Sequence, residues 1–397
     1  MKTLIIHVGP PKCGSSSIQQ FFETYKNPCA QKTRFVMLNP QMINSLNSNN
    51  KIDNTDFINL LDKNLENNDS LILSHESLFI KPYAIKNICS LSSNKVSKII
   101  IIGFSRKSSD FVVSEYNQWG FRNPYVCKLT KKIMLENEIN PLHFYGIERH
   151  LISSILNDFN LLTSQEMDWG KSYGQIEKLV TPYKVKMRAG ILSNRNSSET
   201  LIQDFCNKAD LTLQDKYKSI DIKSNTQFSS HLTESINNAL EFGFKVPGPD
   251  EDNNILQDIS KIINTNIDFN NTLIIPLKEY IDSYFYESNL NFCNKYGLDK
   301  SYFALSKKYS KNEILNIVRN EMQDRVTNNT MLNNYKELTG IMAEAIFHYN
   351  KIKKNVKHRK AYNFSFIRLY RKLKHTTKKI LHLGVSDKIG DDSNKLT

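Results

Sequence analysis

No stretch of the 397 residues comes near the roughly 18 consecutive apolar positions that a membrane-spanning helix needs. The apolar run nearest the N-terminus, Leu4 to Val8, is too short for the hydrophobic region of a secretory signal. A soluble, cytoplasmic protein is expected. The six cysteines, at 13, 29, 89, 127, 206 and 293, contain no CxxC pair. That argues against a zinc site or a disulfide framework and predicts reduced thiols. No cluster of metal ligands, internal repeat or nucleic-acid module is visible, so neither a metal nor a nucleic-acid partner is expected.

Acidic residues are missing from one long segment. Between Ala345 and Ser386 there is no Asp or Glu, while twelve Lys and Arg fall between Lys351 and Lys379. This tail holds nearly all of the net charge of +13. With Tyr362, Phe364, Phe366, Tyr370 and several aliphatic residues among the charges, it is suited to an anionic membrane face or an acidic polymer. A solvated, partly disordered terminus is the alternative. The expected localisation is therefore cytoplasmic, with peripheral contact at the inner membrane face as the tail's candidate role.

What is present is concentrated in the first twenty-five residues. An apolar run, Thr3 to Val8, leads into Gly9-Pro10-Pro11-Lys12-Cys13-Gly14-Ser15-Ser16-Ser17. Behind it Ile18, Phe21, Phe22 and Tyr25 recur at i, i+3, i+4 and i+7, one face of a helix. A strand, a turn rich in Gly and Ser and a helix N-terminus together form an anion cradle, because backbone N–H groups and the positive end of the helix dipole converge there. It is not a GxxxxGK[ST] box, since Ser15 stands where that motif needs lysine and the lysine comes earlier, at Lys12.

Further strand candidates are Arg34 to Leu38, Ser70 to Ser74 and Val96 to Phe104, the last with Ile99-Ile100-Ile101-Ile102 at its centre. Helical patterns cover Asp56 to Leu65 and Tyr83 to Ser90. Strands alternating with helices predict an α/β fold, a central parallel sheet flanked by helices, with a helical C-terminal extension. The domain expectation is an α/β domain over 1–245, a helical extension over 246–350 that completes or covers the core, and a basic tail over 351–397. The turn-rich Pro247 to Asp252 marks the boundary. Helical patterns follow near Asn254 to Ile267, Leu277 to Tyr286, Lys311 to Arg325 and Asn334 to Tyr349.

Ligands of such sheets bind beyond the carboxyl ends of the strands. Three ends carry polar groups: the Gly9 to Ser16 loop, the Ser74-His75-Glu76-Ser77 turn, and Ser105-Arg106. Asp110 and Ser114 follow on the next helix. An arginine at a strand end and a serine on the following helix can converge on one phosphate. Phe111, Tyr116 and Trp119 read as core or pocket wall.

Pro11-Lys12-Cys13-Gly14-Ser15-Ser16-Ser17 resembles the PKSGTTW or PKTGTTS loop of sulfotransferases that use 3′-phosphoadenosine 5′-phosphosulfate, PAPS. Arg106 and Ser114 have the spacing of that family's 3′-phosphate motif. Together with IHVGPPKCGSSSIQQ, the segment SRKSSDFVVSEYNQ is most similar to the bacterial carbohydrate-type members. The resemblance covers roughly residues 1 to 245. It implies a P-loop-like fold in which Pro11, Lys12, Cys13, Gly14, Ser15 and Ser16 hold the 5′-phosphosulfate while Arg106 and Ser114 hold the 3′-phosphate. It implies sulfonate transfer to a hydroxyl or amine of a carbohydrate, as in polysaccharide biosynthesis. The arginine, lysine, glycine loop that cytosolic members place on the nucleotide is missing.

In-line transfer builds charge on the bridging oxygen, where Lys12 can meet it, and needs a base for the acceptor proton. Glu76 is the first candidate, His75 its neighbour and His7 a third, although Glu76 can equally cap the next helix and His7 can be a buried, hydrogen-bonded side chain. Direct transfer needs no nucleophile, so Cys13 is not one. A P-loop nucleotide-dependent kinase and a noncatalytic nucleotide- or glycan-binding homologue are the competing classes. The kinase lacks the lysine it would need after the loop glycine.

Overall fold

The computed structural model describes residues 2–48, 54–160, 167–192, 200–220, 228–241, 253–262 and 272–327, with isolated positions 222, 246, 248, 338, 341, 342, 345 and 349. The basic tail and most of the Pro247 to Asp252 boundary and of the Asn334 to Tyr349 pattern lie outside the described residues.

Five strands form one sheet: β1 (Thr3–His7), β2 (Thr33–Met37), β3 (Ser70–Ser74), β4 (Lys98–Ser105) and β5 (Val185–Ile191). Their order is β2-β3-β1-β4-β5 and every pairing is parallel. Between the strands run α1 (Ser15–Thr24), α2 (Pro40–Leu46), α3 (Thr55–Leu65), α4 (Pro82–Ser92), α5 (Ser108–Tyr116), α6 (Pro124–Glu136), α7 (Gly146–Leu156) and α8 (Trp169–Val180). After the sheet come α9 (Leu201–Lys208), α10 (Asp215–Lys218), α11 (Ser230–Glu241), α12 (Asn253–Ile262), α13 (Ile274–Tyr284), α14 (Tyr286–Tyr296) and α15 (Lys311–Thr327). This is the expected α/β architecture, with a helical C-terminal part.

The three central strands read as continuous apolar runs because both of their faces are covered. Leu4 to His7, all of β3 and Ile99 to Ser105 are buried, and successive residues of a strand point to opposite faces. The edge strands are only partly buried, and β5, with Lys186 and Arg188 in its run, carries no comparable signal in the sequence.

The chain divides into two compact units. The first comprises Met1–Val112, Asn160–Thr226 and Glu279–Lys308 and contains the whole sheet; the second comprises Val113–Phe159, Gln227–Lys278 and Tyr309–Thr397. Within the second, the buried carboxylate of Glu234 accepts from the backbone N–H groups of Gly146 (2.7 Å) and Ile147 (3.0 Å) and from the Tyr116 hydroxyl (3.0 Å), and so closes the start of α7. Glu148 takes both arms of Arg325, at 2.6 and 2.8 Å. None of the helices among the described residues is long and apolar enough to cross a membrane.

Candidate functional site

The strand order reverses around β1. The chain leaves β1 for β2 on one side, returns through β3, and crosses to β4 and β5 on the other. The carboxyl end of β1 is therefore the position where such sheets bind ligands. Val8 N–H donates to the Ile102 carbonyl at 2.9 Å, which keeps the exit from β1 pinned to β4. The loop then turns tightly, with Cys13 N–H on the Pro10 carbonyl at 3.3 Å.

Two residues of the loop have left-handed backbone, Lys12 at φ 66° and Gly14 at φ 89°. The left-handed backbone favours glycine at 14, and a Cβ there would also press on Leu201, 2.6 Å from its Cδ2. Lys12 has no such exemption, and its conformation costs on the order of 1 kcal/mol, the kind of strain that collects at functional sites. Gly14 caps α1 without a side-chain hydrogen bond, and the first turn of α1 holds no acidic residue. The positive end of this helix favours an anion.

Glu76 reaches the same place from β3. His7 and Ser74 are direct partners in the β1/β3 register, so the residues that follow Ser74 emerge beside the loop. Glu76 Oε1 accepts from the Ser16 hydroxyl at 3.3 Å. Burial raises the Glu76 pKa above the usual carboxylate value, and the Lys12 charge and the Ser16 hydroxyl pull it partly back. His75 is engaged differently: it caps the 3-10 turn over Glu76–Leu78, with Nδ1 accepting the Ser77 N–H at 3.0 Å. Burial, then Lys81, lowers its pKa. His7 is 1% exposed; its Nδ1 lies 2.8 Å from Ser74 Oγ, and burial lowers its pKa to about 3.

Arg106 follows directly on β4, and its Nη1 donates to the carbonyl of Lys12 at 3.1 Å, holding the strained residue from behind. Its own carbonyl accepts from Trp169 Nε1 at 2.7 Å, while its buried Nε has no partner. The first turn of α5, immediately afterwards, already has a carboxylate on it. Asp282 Oδ1 accepts the Ser109 N–H and Oδ2 the Ser109 hydroxyl, each at 2.9 Å, and burial raises the Asp282 pKa. Nearby, the Tyr302 hydroxyl accepts from Lys107 N–H at 3.4 Å and donates to the Leu192 carbonyl at 2.9 Å.

Among the residues singled out in the sequence, the first unit thus gathers Lys12, Gly14, Ser16, Glu76 and Arg106. Pro11 is half-buried in the loop, and Cys13 and Ser15 are buried, with the Ser15 hydroxyl on the Pro10 carbonyl at 3.2 Å. Ser114 lies on the part of α5 assigned to the second unit, where it is buried. Phe111 and Tyr116 are core residues; Trp119 lies past the end of α5. Asp282, Tyr302 and Gln19 carry no signal in the sequence, although Gln19 stands out as a polar residue on the buried face of α1.

No family model and no curated protein matches the sequence. Among solved structures the chain is similar to a crystal structure of a sulfotransferase from Alicyclobacillus acidocaldarius, with a TM-score of 0.34 and 8% identity over 76% of this chain and 99% of that chain.

Proposed function

We propose that the chain is a sulfotransferase that takes its sulfonate group from PAPS and passes it to a hydroxyl or amine of a carbohydrate. One observation carries the reading: at the N-terminus of α1 the strained Lys12 turn brings together the guanidinium of Arg106, on the Lys12 carbonyl, and the half-buried carboxylate of Glu76, on the Ser16 hydroxyl. The donor set suits a phosphosulfate, with a lysine, hydroxyls and backbone N–H groups at a helix start whose own first turn contains no acidic residue.

When bound, PAPS supplies the activated sulfonate. Lys12 places a cation where negative charge collects on the leaving oxygen, and the N-terminal turn of α1 orients the 5′-phosphate. Glu76 is the general base. Its Oε1 is held by Ser16, which leaves Oε2 to take the acceptor proton, and its raised pKa moves it toward the range in which a carboxylate both accepts and releases protons near neutrality. His75 shapes the turn that presents Glu76. Arg106 and Ser114 are assigned to the 3′-phosphate on the motif they share with the family, and carbohydrate as the acceptor class rests on the same resemblance. The basic tail would hold an acidic glycan or an anionic membrane face.

Calorimetry with 3′-phosphoadenosine 5′-phosphate, followed by transfer of labelled sulfonate to a panel of glycans, tests this. Binding with Lys12→Ala folded but inactive is the expected result. Absence of nucleotide binding by the wild-type protein would end the proposal.

A further inference from the structure

His7 sits under the cradle with one nitrogen engaged and the other without a partner. Its ring is buried at the end of β1 and packs edge-on against Phe205. Nδ1 meets Ser74 Oγ at 2.8 Å, and Ser74 Oγ also accepts from Gln19 Nε2 at 3.1 Å. Nε2 is buried and has no hydrogen-bond partner. A buried polar atom left unpaired is costly, so its direction matters. A Cβ built on Gly9 would fall 2.7 Å from His7 Nε2 and 2.1 Å from Ser15 Oγ, so these two polar atoms share the space over Gly9 at the floor of the loop.

Proton accounting favours one tautomer. Ser74 has one hydroxyl hydrogen, and Gln19, which donates to its oxygen, cannot receive it on the same amide nitrogen. The acceptor within reach is His7 Nδ1. On this accounting Nδ1 holds the lone pair, Nε2 holds the hydrogen, and the ring stays neutral.

We infer that His7 is a positioning residue of the anion cradle: Gln19 and Ser74 hold its Nε2–H tautomer, and that N–H, lying against Gly9, is there to be accepted by Ser15 Oγ, so that the Ser15 hydrogen turns to a bound phosphate or sulfonate oxygen. The inference rests on the cradle being an anion site, as proposed above. In the free protein the Ser15 hydroxyl is parked on the Pro10 carbonyl, at a long 3.2 Å. With an anion present, every donor of the chain from Gln19 through Ser74 and His7 to Ser15 points the same way. A proton already on Nε2 also removes His7 from the candidates for general base.

Long-range nitrogen–proton NMR on the ¹⁵N-labelled protein without ligand reads the tautomer directly. A protonated Nε2 and an unprotonated Nδ1, unchanged between pH 6 and 8, are expected; an Nδ1–H tautomer would overturn the inference whether or not any nucleotide binds. Calorimetry with 3′-phosphoadenosine 5′-phosphate supplies the second arm. His7→Phe should weaken binding about tenfold, the worth of one hydrogen bond to an oriented donor, and His7→Gln, which keeps an N–H, should recover most of it. In a Ser15→Ala background the His7→Phe loss should disappear, because the effect passes through that hydroxyl. The same loss with and without Ser15 would refute the relay. If His7→Phe does not fold, Ser74→Ala leaves the ring in place and should both release the tautomer and weaken binding. A wild-type protein that binds no nucleotide but shows the Nε2–H tautomer would refute the proposed function and leave the side-chain chain from Gln19 to His7 standing.

Discussion

Helices α1 and α5 start just past the carboxyl ends of neighbouring strands, β1 and β4, yet they meet negative charge differently: Glu76 reaches only a side-chain hydroxyl of α1 in the hydrogen bond it makes with Ser16, whereas Asp282 takes a backbone N–H of α5 as well. The first turn of α1 has no acidic residue and no side-chain cap. The first turn of α5 contains Asp110 and is closed by Asp282, which comes from a helix 173 positions away in the chain. In the second unit Glu234 closes α7 in the same manner. A helix start whose backbone N–H already meets a carboxylate is a structural joint, whereas one that also gathers a lysine and hydroxyls suits an anionic ligand. Under the proposed function, the comparison favours α1 over α5 as the helix start for a phosphate.

The largest expected effect separates the two ends. Glu76→Gln should lower the transfer rate by about a hundredfold to ten thousandfold, the range for loss of a general base, with little change in nucleotide affinity. Because burial raises the Glu76 pKa, the acid limb of the wild-type rate profile should lie above the ordinary glutamate range; the rate falls as pH drops through it. A profile flat down to the usual carboxylate value, or an active Glu76→Gln, would remove Glu76 from the reaction.

Next comes the closed start in the second unit. Burial raises the pKa of Glu234 to about 7, against an ordinary 4.5, so the folded protein keeps this proton at pH values where the unfolded chain has lost it. Stability should therefore decline as pH rises from about 4.5 to about 7 and then level, by up to about 3 kcal/mol. Denaturant melts at a series of pH values check this, and Glu234→Gln should flatten that slope.

A smaller effect is expected at α5. Asp282→Ala should cost about 1–2 kcal/mol of stability, as loss of a cap does. The smallest effect is the sharpest on the comparison itself. If Asp282 repels a 3′-phosphate, Asp282→Asn should improve binding of 3′-phosphoadenosine 5′-phosphate by a few fold while leaving adenosine 5′-phosphate unchanged. Equal affinity of the wild-type protein for the two nucleotides would show that Arg106 and Ser114 do not form a 3′-phosphate pocket.

The parallel sheet was legible because strands covered on both faces must be apolar throughout, and Ser70–Ser74 stands in the chain with the bounds the sequence predicts. The Ile-rich strand is shifted slightly, to Lys98–Ser105. β5 was not legible, since an edge strand can carry Lys186 and Arg188 toward solvent. Glu76 could be placed at the cradle from its position after a strand, because parallel register brings strand ends together. The role of His7 could not be placed, since its hydrogen bond spans 67 positions and depends on one serine hydrogen.

By itself the sequence determined the local elements and the loop, for these follow from near neighbours: apolar runs, helical spacing, and a glycine where left-handed backbone is needed. Tertiary structure alone decided which carboxylate reaches which helix start, which partner the His7 ring meets across the sheet, and how three separated segments make up each unit. Those outcomes depend on partners brought in from distant parts of the chain, and a one-dimensional pattern does not encode which buried donor will find which acceptor.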